Sequence, residues 1–292
     1  MSVTGKTPTP AATPRKRAEL TAFLKARRAR IAPEDVGLPP GLRRRTPGLR
    51  REEVAQLSGV GVTWYTWLEQ GRPINASEQV LDAIARTLRL DRAERDHLFR
   101  LADSAPGRQQ PFEDCPLDPE LAVILEALDP LPAVIYSARY DVMMNNRAYG
   151  ALFPRIGSGR HNALWSVFVM PGCCNPFVNR RTELPRMVAV LRAGYGRHVG
   201  EPEWERFIRE LSAASPDFAA MWERHDVADT GAAIKVFRHF SVGELRMAST
   251  TLAVSRAPEH RLIVYTPMDE RTSERIAWLM DHPDAPVADH TH

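Results

Sequence analysis

The segment RREEVAQLSGVGVTWYTWLEQGR, residues 50–72, constrains this 292-residue chain more than any other. Its apolar residues are split by a glycine-containing break that reads as a turn between two helices. Ala55 on the first helix, Gly59 and Val60 at the turn, and Leu68 and Glu69 on the second fall at the spacing of a helix-turn-helix. Ala55 has to be small, because a larger side chain would push the helices apart where they cross. Gly59 suits the left-handed backbone of such a turn.

More helices are predicted around it. From Arg15 the residues Leu20, Phe23, Leu24 and Ile31 form one apolar stripe, with Lys25, Arg27, Arg28 and Arg30 around it. The stretch 37–48 is a Pro- and Gly-rich basic loop. Helices follow at about 50–57, 62–70 and 77–89, the last N-capped by Ser77, and a fifth opens on Asp91 with Glu94 three residues on. Residues 1–110 hold 20 Lys+Arg against 12 Asp+Glu, and the rest 19 against 24. The basic first part suits a polyanion and the acidic second part does not.

These residues resemble the XRE-type, Cro/repressor-like helix-turn-helix over about residues 17–103. The resemblance implies that Val62, Thr63, Trp64 and Trp67 face the major groove as base-reading residues. Arg44, Arg45, Arg50, Arg51 and Arg72 flank them and suit phosphates, which position a protein without reading sequence. Gly61 departs from the pattern, standing where the recognition helix usually has a Ser-like N-cap, and Tyr65 and one of the two tryptophans are candidates for the core. The implied partner is duplex DNA, bound by a symmetric homodimer on an inverted repeat.

Residues 1–14 read as a disordered arm and 104–117, with three prolines, as a linker. Beyond it, strands are predicted at 132–137, 140–145, 232–240, 243–254 and 261–267. Between the second and third lie helices with stripes Met187–Val190–Leu191–Tyr195–His198, Trp204–Phe207–Ile208–Leu211 and Phe218–Met221–Trp222–His225. A helix at 272–281 precedes a flexible tail, 282–292. This order predicts an α+β domain, 118–281, with an antiparallel sheet and helices gathered on one side, following an all-α domain at 15–103. The sheet and its helical cover are expected to enclose an apolar cavity of about 300 Å³ or more.

Five further segments narrow the family: residues 43–55, 131–153 (LPAVIYSARYDVMMNNRAYGALF), 191–198 (LRAGYGRH), 215–227 (SPDFAAMWERHDV) and 239–245 (HFSVGEL). Together they resemble the MmyB-like transcription regulators of actinobacteria over nearly the whole chain. That resemblance implies a PAS-like second domain and a DNA affinity that responds to a small apolar or fatty-acid-like ligand. Trp204, Phe207, Phe218, Met221 and Trp222 are its candidate contacts, and Arg238 or His239 would meet a carboxylate. Asn146 is read as a helix cap, and His198 and His225 as core or interface residues. The residues 169–177, VMPGCCNPF, depart from the family's less cysteine-rich loop.

Enzyme readings find little support. Cys173 and Cys174 are adjacent and cannot both chelate a metal without strain, and no base is placed to activate them. There is no phosphate-cradling glycine loop, nucleophile elbow or zinc helix, so no catalytic residue, metal or cofactor is expected. Three cysteines and no long apolar run suit a reducing cytoplasm without a membrane span. The competing reading is a DNA-bound scaffold whose acidic half recruits a protein, which differs in having no hollow second domain.

Overall fold

The computed structural model describes residues 13–39, 48–102, 119–154, 156, 161–255 and 257–286. Arg44, Arg45, Cys115, nearly all of the arm, the linker and the end of the tail lie outside them. The chain divides into two compact units, the first comprising residues 1–109 with segments 195–205 and 223–229, the second the remainder.

The first unit is helical: α1 Pro14–Arg30, α2 Arg51–Leu57, α3 Val62–Glu69, α4 Glu78–Thr87 and α5 Arg92–Leu101. Its core is built from the predicted stripes: Leu20, Phe23 and Leu24 of α1 are buried, as are Ala55, Tyr65, Ile84 and Leu98. Burial of each large side chain stabilises by about 1.5–3 kcal/mol. Ser77 caps α4 by accepting from Val80 N, and Asp91 and Glu94 form a reciprocal capping box on α5. Arg27, read from sequence as part of the basic rim, is instead buried. It donates to Glu94 Oε1 at 2.7 Å, to the His225 carbonyl at 2.7 Å and to Asp226 Oδ1 at 3.2 Å. The guanidinium is tolerated inside because ionised and carbonyl acceptors surround it.

The second unit contains α6 Glu120–Ala127, β1 Ala133–Ser137, β2 Val142–Asn145, α7 Arg147–Leu152 and α8 Ala163–Val169, followed by α9 Arg180–Tyr195, which ends in the first unit. Helices α10 Pro202–Ala214 and α11 Pro216–Glu223 lead to β3 Ala233–His239, β4 Gly243–Ala253, β5 His260–Pro267 and α12 Glu270–Asp281. All strand pairs are antiparallel, in the order β2-β1-β5-β4-β3.

The register assigns the faces. Pairs Tyr136–Arg261, Ser249–Tyr265 and Phe237–Leu245 fix one face carrying Tyr136, Arg261, Ile263, Tyr265, Ser249, Lys235, Phe237 and His239. The opposite face is not bare. Ala133, Ile135 and Leu262 pack there against Leu125 of α6, so helices cover both sides rather than one. The cause is legible in PAVIYS, whose consecutive apolar residues supply both faces of β1.

Asn146 caps α7, as its position predicts: its Oδ1 accepts from Tyr149 N at 3.0 Å and from Ala133 N at 2.9 Å, while Nδ2 donates to the Leu131 carbonyl at 2.8 Å. The helix start is thereby tied to β1.

Candidate DNA-reading helix and ligand pocket

Helix α2 ends as a short capped turn. Gly59 has φ +67°, its N–H donates to the Gln56 carbonyl, and the Val60 N–H donates to Ala55 O at 3.0 Å. Fully buried Ala55 permits the close crossing. The chain then enters α3 at Gly61, which has no side chain with which to cap the helix.

Helix α3 presents two faces. Tyr65, Leu68 and Glu69 are buried, whereas Val62, Thr63 and Trp67 are exposed, with Trp64 half-buried beside them. The base-reading candidates thus share the outer side. Thr66 and Gln70, on the same side, were not among the expected readers. Gln70 offers an amide that can pair bidentately with adenine, a signal its place four residues after Thr66 contains. Arg72 stacks over the Trp67 ring at 5.4 Å, so the two act as one surface.

The orientation of α3 is fixed from behind by Glu69, which is fully buried. Arg28 of α1 grips it at 2.7 and 2.9 Å, and Arg51 of α2 donates to it at 2.8 Å. Burial alone would raise the Glu69 pKa. The hydrogen bonds and charges of Arg28 and Arg51 outweigh it and hold the carboxyl below its usual range. One carboxylate therefore ties three helices together. Arg51 commits its Nε to this role, while Arg50 remains exposed with its backbone N–H on Glu53.

In the second unit a pocket opens on the face bearing Tyr136 and Phe237. Its walls are aromatic and aliphatic, including Tyr149, Phe153, Met187, Val190, Ile263 and Tyr265. Tyr136 and Tyr149 share a 2.6 Å hydrogen bond, and burial raises both phenols well above the ordinary value, so they stay neutral. Polar groups gather at Glu183, Arg186, Lys235 and Arg261. Lys235 donates to Glu183 at 2.6 Å; burial pulls its ammonium down, Glu183 opposes this, and both nearby arginines reinforce it. Arg261 lies 4.2 Å over the Tyr140 ring, and its Nη2 is buried with no hydrogen-bond partner among the described residues. Three cations thus face one carboxylate. The cavity volume is about 50 Å³, well below the expected size.

The residues expected to contact a ligand are placed otherwise. Phe218 is buried edge-on against Phe168 of α8, and Trp222 stacks on Phe218 beneath the Arg192 guanidinium. Trp204, in the first unit, stacks on His198. None of Trp204, Phe207, Phe218, Met221 and Trp222 lines this pocket. Phe218 and Trp222 of α11 are used against α8 and α9, and periodicity does not say which surface a stripe meets. Arg238 and His239 line a second pocket with Cys174, Phe240, Phe153 and Ile156. His198 pairs with Glu201 and His225 lies 3.4 Å from Glu19; both are half-buried, and neither lines the pocket.

No helix of the described residues is long and apolar enough to cross a membrane. Two family models match the chain: a helix-turn-helix domain over residues 19–98, and the MmyB-like transcription regulator ligand binding domain over residues 117–279. A search of curated proteins finds no match. The first match falls on the helices that carry Glu69 and the exposed face of α3, the second on the sheet and its pocket, and the latter covers more than half of the sequence. The chain belongs to the MmyB-like transcription regulators, DNA-binding proteins that join a helix-turn-helix to a ligand-binding domain.

Proposed function

We propose that this regulator reads a specific operator through α3, as a symmetric dimer on an inverted repeat, and that its pocket senses an amphipathic acid of the fatty-acid kind. It is not an enzyme on this reading. The carrying observation is the group of Arg186, Lys235 and Arg261 facing the single carboxylate of Glu183 at the polar part of an otherwise aromatic pocket. A net positive, partly buried site favours a carboxylate, and the rings favour an apolar chain. Since the cavity is only about 50 Å³, an acyl chain enters by displacing pliable lining such as Met187.

Titration calorimetry of the full chain with dodecanoic acid and dodecanol tests the ligand class. The acid is expected to bind at least about tenfold more tightly, with Arg261→Met removing most of the difference. Equal affinities, or no binding of either, overturn the assignment. The small cavity favours one competing reading, a scaffold that recruits a protein through its acidic unit. That reading predicts no binding of either compound and no effect of Arg261→Met.

A further inference from the structure

The second pocket holds a donor that the protein does not satisfy. His239 is 6% exposed and on the same face of β3 as Lys235. Its Nδ1 accepts from the Ser241 backbone N–H at 3.2 Å, which puts the proton of the neutral ring on Nε2. Nε2 is buried and meets no hydrogen-bond partner among the described residues. An unmade bond of this kind is costly, and a ligand acceptor relieves it. Burial also lowers the imidazole pKa, in keeping with a neutral donor.

The two pockets share a wall. Phe153 and Ile156 line both. Phe153 packs edge-on against Phe237 at 4.8 Å, and Phe237 stands between Lys235 and His239 on the strand. Four steps along β3 take Lys235 of the cationic group to His239, a span of about 13 Å. This matches a medium-length acyl chain.

We infer that the His239 pocket is the distal end of one elongated site, separated from the cationic end by the Phe153 ring, and that it reads a hydroxyl or carbonyl at the far end of the ligand chain. The preferred ligand is then a bifunctional amphiphile: carboxylate among Arg186, Lys235 and Arg261, chain past a displaced Phe153, terminal oxygen accepting from His239 Nε2. This inference rests on the amphipathic-acid reading and narrows it.

The test compares omega-hydroxydodecanoic acid with dodecanoic acid, each titrated into the full chain and into His239→Leu. The wild-type protein is expected to prefer the hydroxy acid by about fivefold, and His239→Leu to bring the ratio to about one. Binding of dodecanoic acid with no hydroxy preference overturns the distal subsite and leaves the acid-sensing reading standing. Absence of binding by both acids overturns both. Should His239→Leu fail to fold, as judged by circular dichroism, the wild-type ratio alone decides, and a ratio of one or less sinks the inference.

Discussion

A carboxylate removed from water persists only where cations and donors replace its hydration, and Glu69 meets that condition through Arg28 and Arg51. Glu69→Gln leaves two arginines without their counter-charge and is expected to lower unfolding free energy by about 3–5 kcal/mol, measured by urea denaturation. Glu94, held by Arg27 and Arg30, is arranged similarly. Both carboxyls are depressed in the folded protein from an ordinary value of 4.5. Their stabilisation is therefore complete above that pH and is lost as pH falls from there through the folded-state values. Urea midpoints measured from neutral pH down to about pH 3 should decline through that window, less steeply in Glu69→Gln. On the other side of α3, Thr63→Ala and Trp67→Ala should reduce preference for the cognate operator by about 1–3 kcal/mol each. Arg50→Ala should weaken cognate and random DNA alike and lower the salt slope by about one. Mobility shifts at several salt concentrations decide this, and equal losses on both DNAs for Thr63→Ala and Trp67→Ala would mean that another face of α3 reads the bases.

At the scale of elements, the turn between α2 and α3 depends on one backbone conformation. A Cβ at Gly59 would meet nothing within 4 Å, so Gly59→Ala isolates the conformational cost of its positive φ. The expected destabilisation is about 1–2 kcal/mol by thermal or urea unfolding, with a near-zero effect showing that the turn relaxes. The motif was readable because Ala55, Gly59 and Leu68 each answer a local steric demand. Strands were readable for a related reason: alternation and turn residues are local signals, and β1 to β5 fall close to their predicted limits. Helix α8 has Ser166 as its one polar residue, too little to mark a polar face, and its seven residues are too few to establish a period. The pocket was hardest to foresee. Its walls come from β1, β3, β4, β5, α7, α8 and α9, brought together by the fold, whereas Trp204, Phe218 and Trp222 looked more conspicuous and stack elsewhere. His239 was found because it lies on a strand of the sheet, but its unsatisfied Nε2 depends on surroundings that no local pattern encodes.

At the scale of the whole molecule, charge is segregated along the sequence, basic before residue 110 and acidic after it. Binding to DNA of any sequence should therefore fall steeply with salt, because phosphate contacts release counterions. A ligand that changes DNA affinity must have its own affinity changed by DNA in equal measure, typically 5- to 150-fold. Calorimetric titration of dodecanoic acid with and without operator DNA checks that reciprocity, and unequal factors would mean that the two measurements report different equilibria.

The boundary of the first unit has a practical side. Segments 195–205 and 223–229 belong to it, and His225 and Asp226 accept from Arg27 inside it. A fragment stopping at residue 102 keeps the whole helix-turn-helix but strips Arg27 of those acceptors, and it should be less stable by roughly 1–3 kcal/mol than that unit in the intact protein. Exchange of ligand domains between relatives is subject to the same constraint. A chimera joined only within residues 103–118 would import a foreign sequence at the positions that satisfy Arg27, and its first unit is expected to unfold at lower urea than that of the parent unless residues 223–229 are carried over with it.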